Sequence, residues 1–119
     1  MLRRLRASLA LALALLLPIA AFAHARPKIM NPAPDSTVAS PASISIIFSE
    51  ALEPKFSSIT VTDGAGKLQN KATSQPSSSD PKELTLALPR LSPGVYTVHW
   101  ATAAVDGHRA EGQYNFSVK

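Results

Sequence analysis

Val105-Asp106-Gly107-His108 sets a carboxylate and an imidazole two residues apart, with a glycine between them, directly after a stretch that reads as a strand. In an extended or bulged segment, residues i and i+2 project to the same side, so the two side chains can address one point in space. Gly107 permits unusual dihedrals and close approach there. Carboxylate and imidazole are both metal donors, but Asp-Gly is also an ordinary turn dipeptide, so the motif alone fits either a metal site or a plain loop. A further donor has to come from elsewhere in the chain.

It is offered by the N-terminus. Residues 1–23 have the three parts of a secretory signal: basic Arg3, Arg4 and Arg6, an apolar run from Leu9 to Leu17, and the small-residue site Ala21-Phe22-Ala23. A membrane anchor needs about 20 apolar residues, and Pro18 interrupts this run just before the cleavage site. Arg3-Arg4 lacks the rest of a twin-arginine pattern, so the general secretory route, cleavage after Ala23 and a periplasmic product are expected. His24 then becomes the first residue, and its own amine joins its ring as a second nitrogen donor. The amine ordinarily titrates near about 8 and the ring near about 6.5, so a divalent metal displaces their protons readily at neutral pH. With His108 the donors are one amine and two imidazoles, with the Asp106 carboxylate nearby. Tetragonal nitrogen and oxygen ligation favours Cu(II), which also heads the divalent affinity series. The alternative is that His24 is only a frayed terminal residue.

Removing 23 of the 119 residues leaves 96, enough for one domain with a single core over residues 24–119. The formal charge of +4 includes three signal arginines, so the mature part carries about +1, and no nucleic-acid surface is implied. There is no cysteine, which excludes disulfides, iron–sulfur clusters, thiol catalysis and a thiolate copper site.

The elements that must hold the donors read as strands. Pro27 and Pro32 suit an edge strand, and Pro34-Asp35-Ser36-Thr37 a turn. Ile44–Phe48 and Ile59–Thr62 are β-branched strands, the latter closed by an Asp63-Gly64-Ala65-Gly66 turn; Ser49 to Phe56 is a connection with room for one helical turn. Thr73 to Lys82 reads as a polar surface loop. Leu84, Leu86 and Leu88 alternate, Ser92-Pro93-Gly94 turns, and Val95–Ala101 puts Tyr96, Val98 and Trp100 on one face and His99 on the other. Gln113–Val118 places Tyr114, Phe116 and Val118 inward. About seven short strands and no apolar helical period after the signal predict an all-β, antiparallel, immunoglobulin-like or Greek-key sandwich or barrel. In such a fold, a first strand can bring His24 to the loop of Asp106 and His108.

The chain resembles the CopC copper-resistance family over essentially all of its mature length. The resemblance rests on His24-Ala25, Asn31-Pro32-Ala33-Pro34, Ile46-Ile47-Phe48-Ser49-Glu50, Leu91 through Trp100, Val105-Asp106-Gly107-His108 and Gly112-Gln113-Tyr114-Asn115-Phe116. It implies a Greek-key β-barrel holding one Cu(II) through the amine and ring of His24, the ring of His108, and Asp106 as a weaker ligand. It also puts Glu50 near the copper, where it either hydrogen-bonds to a ligand or is simply a solvated acid. Methionine-rich segments that hold Cu(I) in some members have no counterpart, since Met30 is the only mature methionine.

A copper carrier or buffer with no catalytic residue follows, with a CopD-type membrane transporter as its partner class and no fused membrane domain. Two other readings compete. One is a copper-brace oxygenase, disfavoured because Asp106 would fill the position oxygen needs. The other is a metal-free β-sandwich interaction module. His99, Trp100 and Tyr96 are assigned to surface and core rather than to the site, and Arg109 to solvent.

Overall fold

The computed structural model describes residues 25–119. The expected signal segment and His24 lie outside the described residues. In chain order the strands are β1 (Pro27–Asn31), β2 (Thr37–Val38), β3 (Ser43–Phe48), β4 (Ser58–Thr62), β5 (Gln75–Pro76), β6 (Glu83–Ala87), β7 (Gly94–Ala103) and β8 (Arg109–Val118). They form two four-stranded sheets, ordered β1-β3-β6-β5 and β2-β8-β7-β4, and the two pack as a sandwich. The all-β expectation is met.

Period-two alternation builds the core. Ile44, Ile46 and Phe48 of β3 with Leu84 and Leu86 of β6 face Ile59 and Val61 of β4, Val98 of β7 and Phe116 of β8, all but inaccessible to solvent. Tyr96 stacks on Phe116 at 5.7 Å, and its hydroxyl donates to the Ser92 carbonyl at 2.6 Å, tying down the turn that opens β7. The Phe48 ring meets Trp100 edge-on at 5.6 Å, joining the sheets near the end of β7. Pro27 falls on β1, an edge strand, where its missing N–H costs no ladder bond.

Three expectations need correction. Residues 73–82 are not all loop: Gln75-Pro76 is a short edge strand paired with β6. The sheets are not wholly antiparallel, because β2 runs parallel to Ser117-Val118 where the chain crosses between sheets. The last strand starts at Arg109 rather than Gln113, so β7 and β8 are ten-residue strands in continuous register from Gly94↔Val118 to Ala103↔Arg109. Arg109 to Gly112 has no apolar alternation, and what keeps it in the sheet is backbone pairing and the Trp100 ring lying across Gly112.

Candidate metal centre

Ala104 to His108 is the loop that joins β7 to β8. It is closed by the Ala104 N–H donating to the His108 carbonyl and the Gly107 N–H donating to the Ala104 carbonyl, both at 2.8 Å. Gly107 has φ of +91°, a conformation that a side chain would strain. Asp106 Oδ1 accepts the His108 backbone N–H at 3.0 Å, the Asx-turn bond that recommends Asp-Gly for turns. Its other oxygen, Oδ2, lies 3.0 Å from His108 Nδ1. The two readings of the motif therefore coincide. The segment is a turn rather than an extended run, and the turn is what brings carboxylate and imidazole together.

That separation suits a metal. Two cis donors bound at about 2.0–2.1 Å are about 2.9 Å apart, close to the Oδ2 to Nδ1 distance. Without metal, the same geometry lets an Nδ1 proton bridge to the carboxylate. Both side chains are about half exposed, at 54% for His108 and 42% for Asp106, so an ion can reach them from solvent. Among the described residues, no third His, Cys, Asp or Glu joins them in a metal-binding group.

The loop's root is fixed on one side by the connection after β3. The Val105 N–H donates to the Ala51 carbonyl at 3.2 Å, Leu52 bridges to Ala104, and the Glu53 N–H donates to the Ala103 carbonyl at 2.8 Å. Ser57 Oγ accepts the Ala103 N–H at 3.1 Å from a one-turn 3-10 helix, Pro54–Phe56, and its neighbourhood. On the other side lies the start of the described chain. Ala25 is 1% exposed, and its carbonyl accepts from Thr102 Oγ1 at 3.2 Å. The Arg26 N–H donates to Ser49 Oγ at 3.0 Å, and the Ser49 N–H donates back to the Arg26 carbonyl at 2.8 Å.

Glu50 is exposed, one residue from the Ala51 that holds the loop. Its neighbour Ser49 and the buried Thr102 are the polar residues that fasten the terminal segment. Sequence reasoning passed over both, and the only available signal was a hydroxyl at a position the alternation of β7 assigns to the core. His99 lies away from the loop on the outer face, with Nε2 2.9 Å from Thr62 Oγ1. Arg109 does not simply face solvent: its guanidinium sits over the Phe56 ring, 5.6 Å from the centroid. A cleft of about 590 Å³ between β1 and β8 is lined by Met30, Trp100 and Tyr114, and Asp106 and His108 are not among its walls. Burial pushes the Tyr114 phenol up to about 12, so at neutral pH it is a neutral group.

Comparison with known proteins agrees with this architecture. Residues 28–119 match the model of the CopC domain. The chain is 36% identical over 119 residues to Protein YobA of Escherichia coli K12, covering 98% of this chain and 96% of that one. It is 35% identical over 106 residues to copper resistance protein C of Xanthomonas campestris pv. juglandis, covering 83% of each. The crystal structure of CopC from Methylosinus trichosporium OB3b superposes with a TM-score of 0.76 at 35% identity, over 81% of this chain and 94% of that one. That of PcoC, a methionine-rich copper resistance protein from Escherichia coli, superposes with a TM-score of 0.70 at 35% identity, over 82% and 100%.

Proposed function

The chain belongs to the CopC family, and from that premise we propose that it is a periplasmic carrier or buffer of copper that holds one Cu(II). After cleavage behind Ala23, the ligands are the terminal amine and ring of His24, the ring of His108 and the carboxylate of Asp106. The observation that carries this reading is the Asp106–His108 pair, whose donors stand 3.0 Å apart, as cis ligands would.

A second feature supports it. Residue 24 is one Cα step of about 3.8 Å from Ala25, and the Ala25 carbonyl is bonded to Thr102, two residues before the loop that carries the pair. The relatives named for copper resistance support the choice of ion. Met30 is the only methionine after the signal segment, so the cargo is Cu(II) and not Cu(I) held by thioethers. The protein is a binder rather than an enzyme, and its partner is a membrane copper transporter of the CopD type. Because every ligand must be deprotonated, uptake releases protons and acid weakens binding.

The test is a Cu(II) titration with electron paramagnetic resonance on protein beginning at His24 and on the same protein with one glycine in front. The expected result is one tightly held Cu(II) in a nitrogen-rich tetragonal site for the first and much weaker binding for the second. Equal binding by both would remove the terminal amine from the site, and no binding by either would remove copper.

A further inference from the structure

We infer that the Thr102 hydroxyl, assisted by Ser49, is the positioning device that holds the N-terminal ligand against the Asp106–His108 loop; the inference rests on the ligand set proposed above. Thr102 is a polar residue in a core position, only 2% exposed, near the end of β7. Its Oγ1 lies 3.2 Å from the Ala25 carbonyl and 3.4 Å from the Ala110 carbonyl, so its single proton is shared between two acceptors. The Ala110 contact is local, since Ala110 is its register partner on β8. The Ala25 contact spans 77 residues of sequence and joins the start of the mature chain to the second sheet.

Both halves of the ligand set thereby hang from one short piece of backbone. Position 102 holds Ala25, the residue after His24. Position 104 holds His108, through the Ala104 N–H and the His108 carbonyl. At about 3.3 Å per residue the two attachment points are roughly 7 Å apart, a span that two short donor arms can close onto one ion. Ser49 adds the second point that fixes a direction: its reciprocal bonds with Arg26, at 3.0 and 2.8 Å, anchor the next residue to the end of β3. Ala25 and Arg26 are thus both pinned, and holding the backbone beside a ligand in place before the metal arrives is what makes binding tight. Valine in place of Thr102 keeps the shape but takes the hydroxyl donor from the Ala25 carbonyl, while the Ala110 carbonyl keeps its place in the ladder.

The experiment is a double-mutant cycle that crosses Thr102→Val with the one-glycine extension and reads Cu(II) affinity. If Thr102 acts through His24, Thr102→Val costs about tenfold or more in the protein that starts at His24. It then costs little in the extended protein, where the amine has already been displaced. Equal losses in both backgrounds would mean a general structural effect and would overturn the inference. Thr102→Ser, which keeps the hydroxyl, is expected to restore most of the affinity, and failure to do so also counts against it. A copper-free readout runs beside these: amide hydrogen exchange at Arg26 should quicken in Thr102→Val and stay slow in Thr102→Ser. Unchanged exchange at Arg26 in Thr102→Val would show that the clamp does not hold the segment. If the plain Cu(II) titration of the parent fails, the ligand set falls, while the exchange result still reports on the clamp.

Discussion

Asp106 holds two jobs in two oxygens. Oδ1 makes the turn by accepting the His108 N–H, and Oδ2 faces the imidazole. The two are separable by substitution. Asparagine keeps an amide oxygen for the turn but no charge for a metal, whereas alanine keeps neither. Asp106→Asn is therefore expected to leave unfolding stability within about 0.5 kcal/mol of the parent while weakening Cu(II) about tenfold. Asp106→Ala should match that loss of affinity and also cost about 1 kcal/mol of stability, for the lost turn bond. Urea unfolding together with a competition titration for copper measures both. An Asp106→Asn protein that binds Cu(II) as well as the parent would show the carboxylate to be a turn residue only. This double use explains why the motif is ambiguous in the sequence: a turn and a metal site ask for the same residues at these positions, and the Oδ2 to Nδ1 distance suits a bridging proton as well as a metal.

At the scale of the element, the β7–β8 hairpin is what delivers the loop, and Trp100 packs across it at Gly112. A Cβ added there would fall 2.5 Å from Trp100 Cζ2 and 2.8 Å from Cε2, with the ring lying over the strand. Gly112 is opposite Trp100 in the register, so the indole supplies the packing that the glycine lacks. Gly112→Ala must displace an indole that also packs on Phe48, and the expected cost is about 1–3 kcal/mol in urea or thermal unfolding, with a changed near-ultraviolet signal from Trp100. Stability equal to the parent's would mean that the ring is not seated on the strand. The same pair shows where sequence reasoning stopped short. Tyr96, Val98 and Trp100, then Tyr114, Phe116 and Val118, alternate clearly, and the strands they mark lie where that pattern puts them. Arg109 to Gly112 has a glycine and two charges and no apolar side, so its strand character comes from its partner across the ladder. The pairing of β5 was hidden for the same reason: Gln75-Pro76 has nothing of its own to bury and is held by backbone bonds to β6.

For the whole molecule, the proposed donors come from residue 24 and residues 106–108, which only the closed sandwich can bring together. The terminal segment is fastened to the first sheet by Ser49 and to the second by Thr102. Unfolding breaks both fastenings and returns His108 to a distant part of the chain. On the proposed ligand set, Cu(II) is expected to favour the folded state, by about 2.7 kcal/mol at free ion a hundredfold above the dissociation constant. That figure is an upper bound, because the amine and ring of His24 belong to one residue and stay together in the unfolded chain, where they keep part of the affinity. His108→Ala measures how much of the preference the loop imidazole supplies. In the protein starting at His24, copper should raise the urea midpoint clearly, and in His108→Ala the rise should fall to the smaller part that Asp106 still supplies, since the terminal amine and ring themselves bind folded and unfolded chains alike. An equal rise in both would take His108 out of the ligand set, and no rise in either would mean that the ion sits on the terminus without reaching the loop. The bridge from one end of the sequence to the other would then be lost, though the terminal pair would still bind copper.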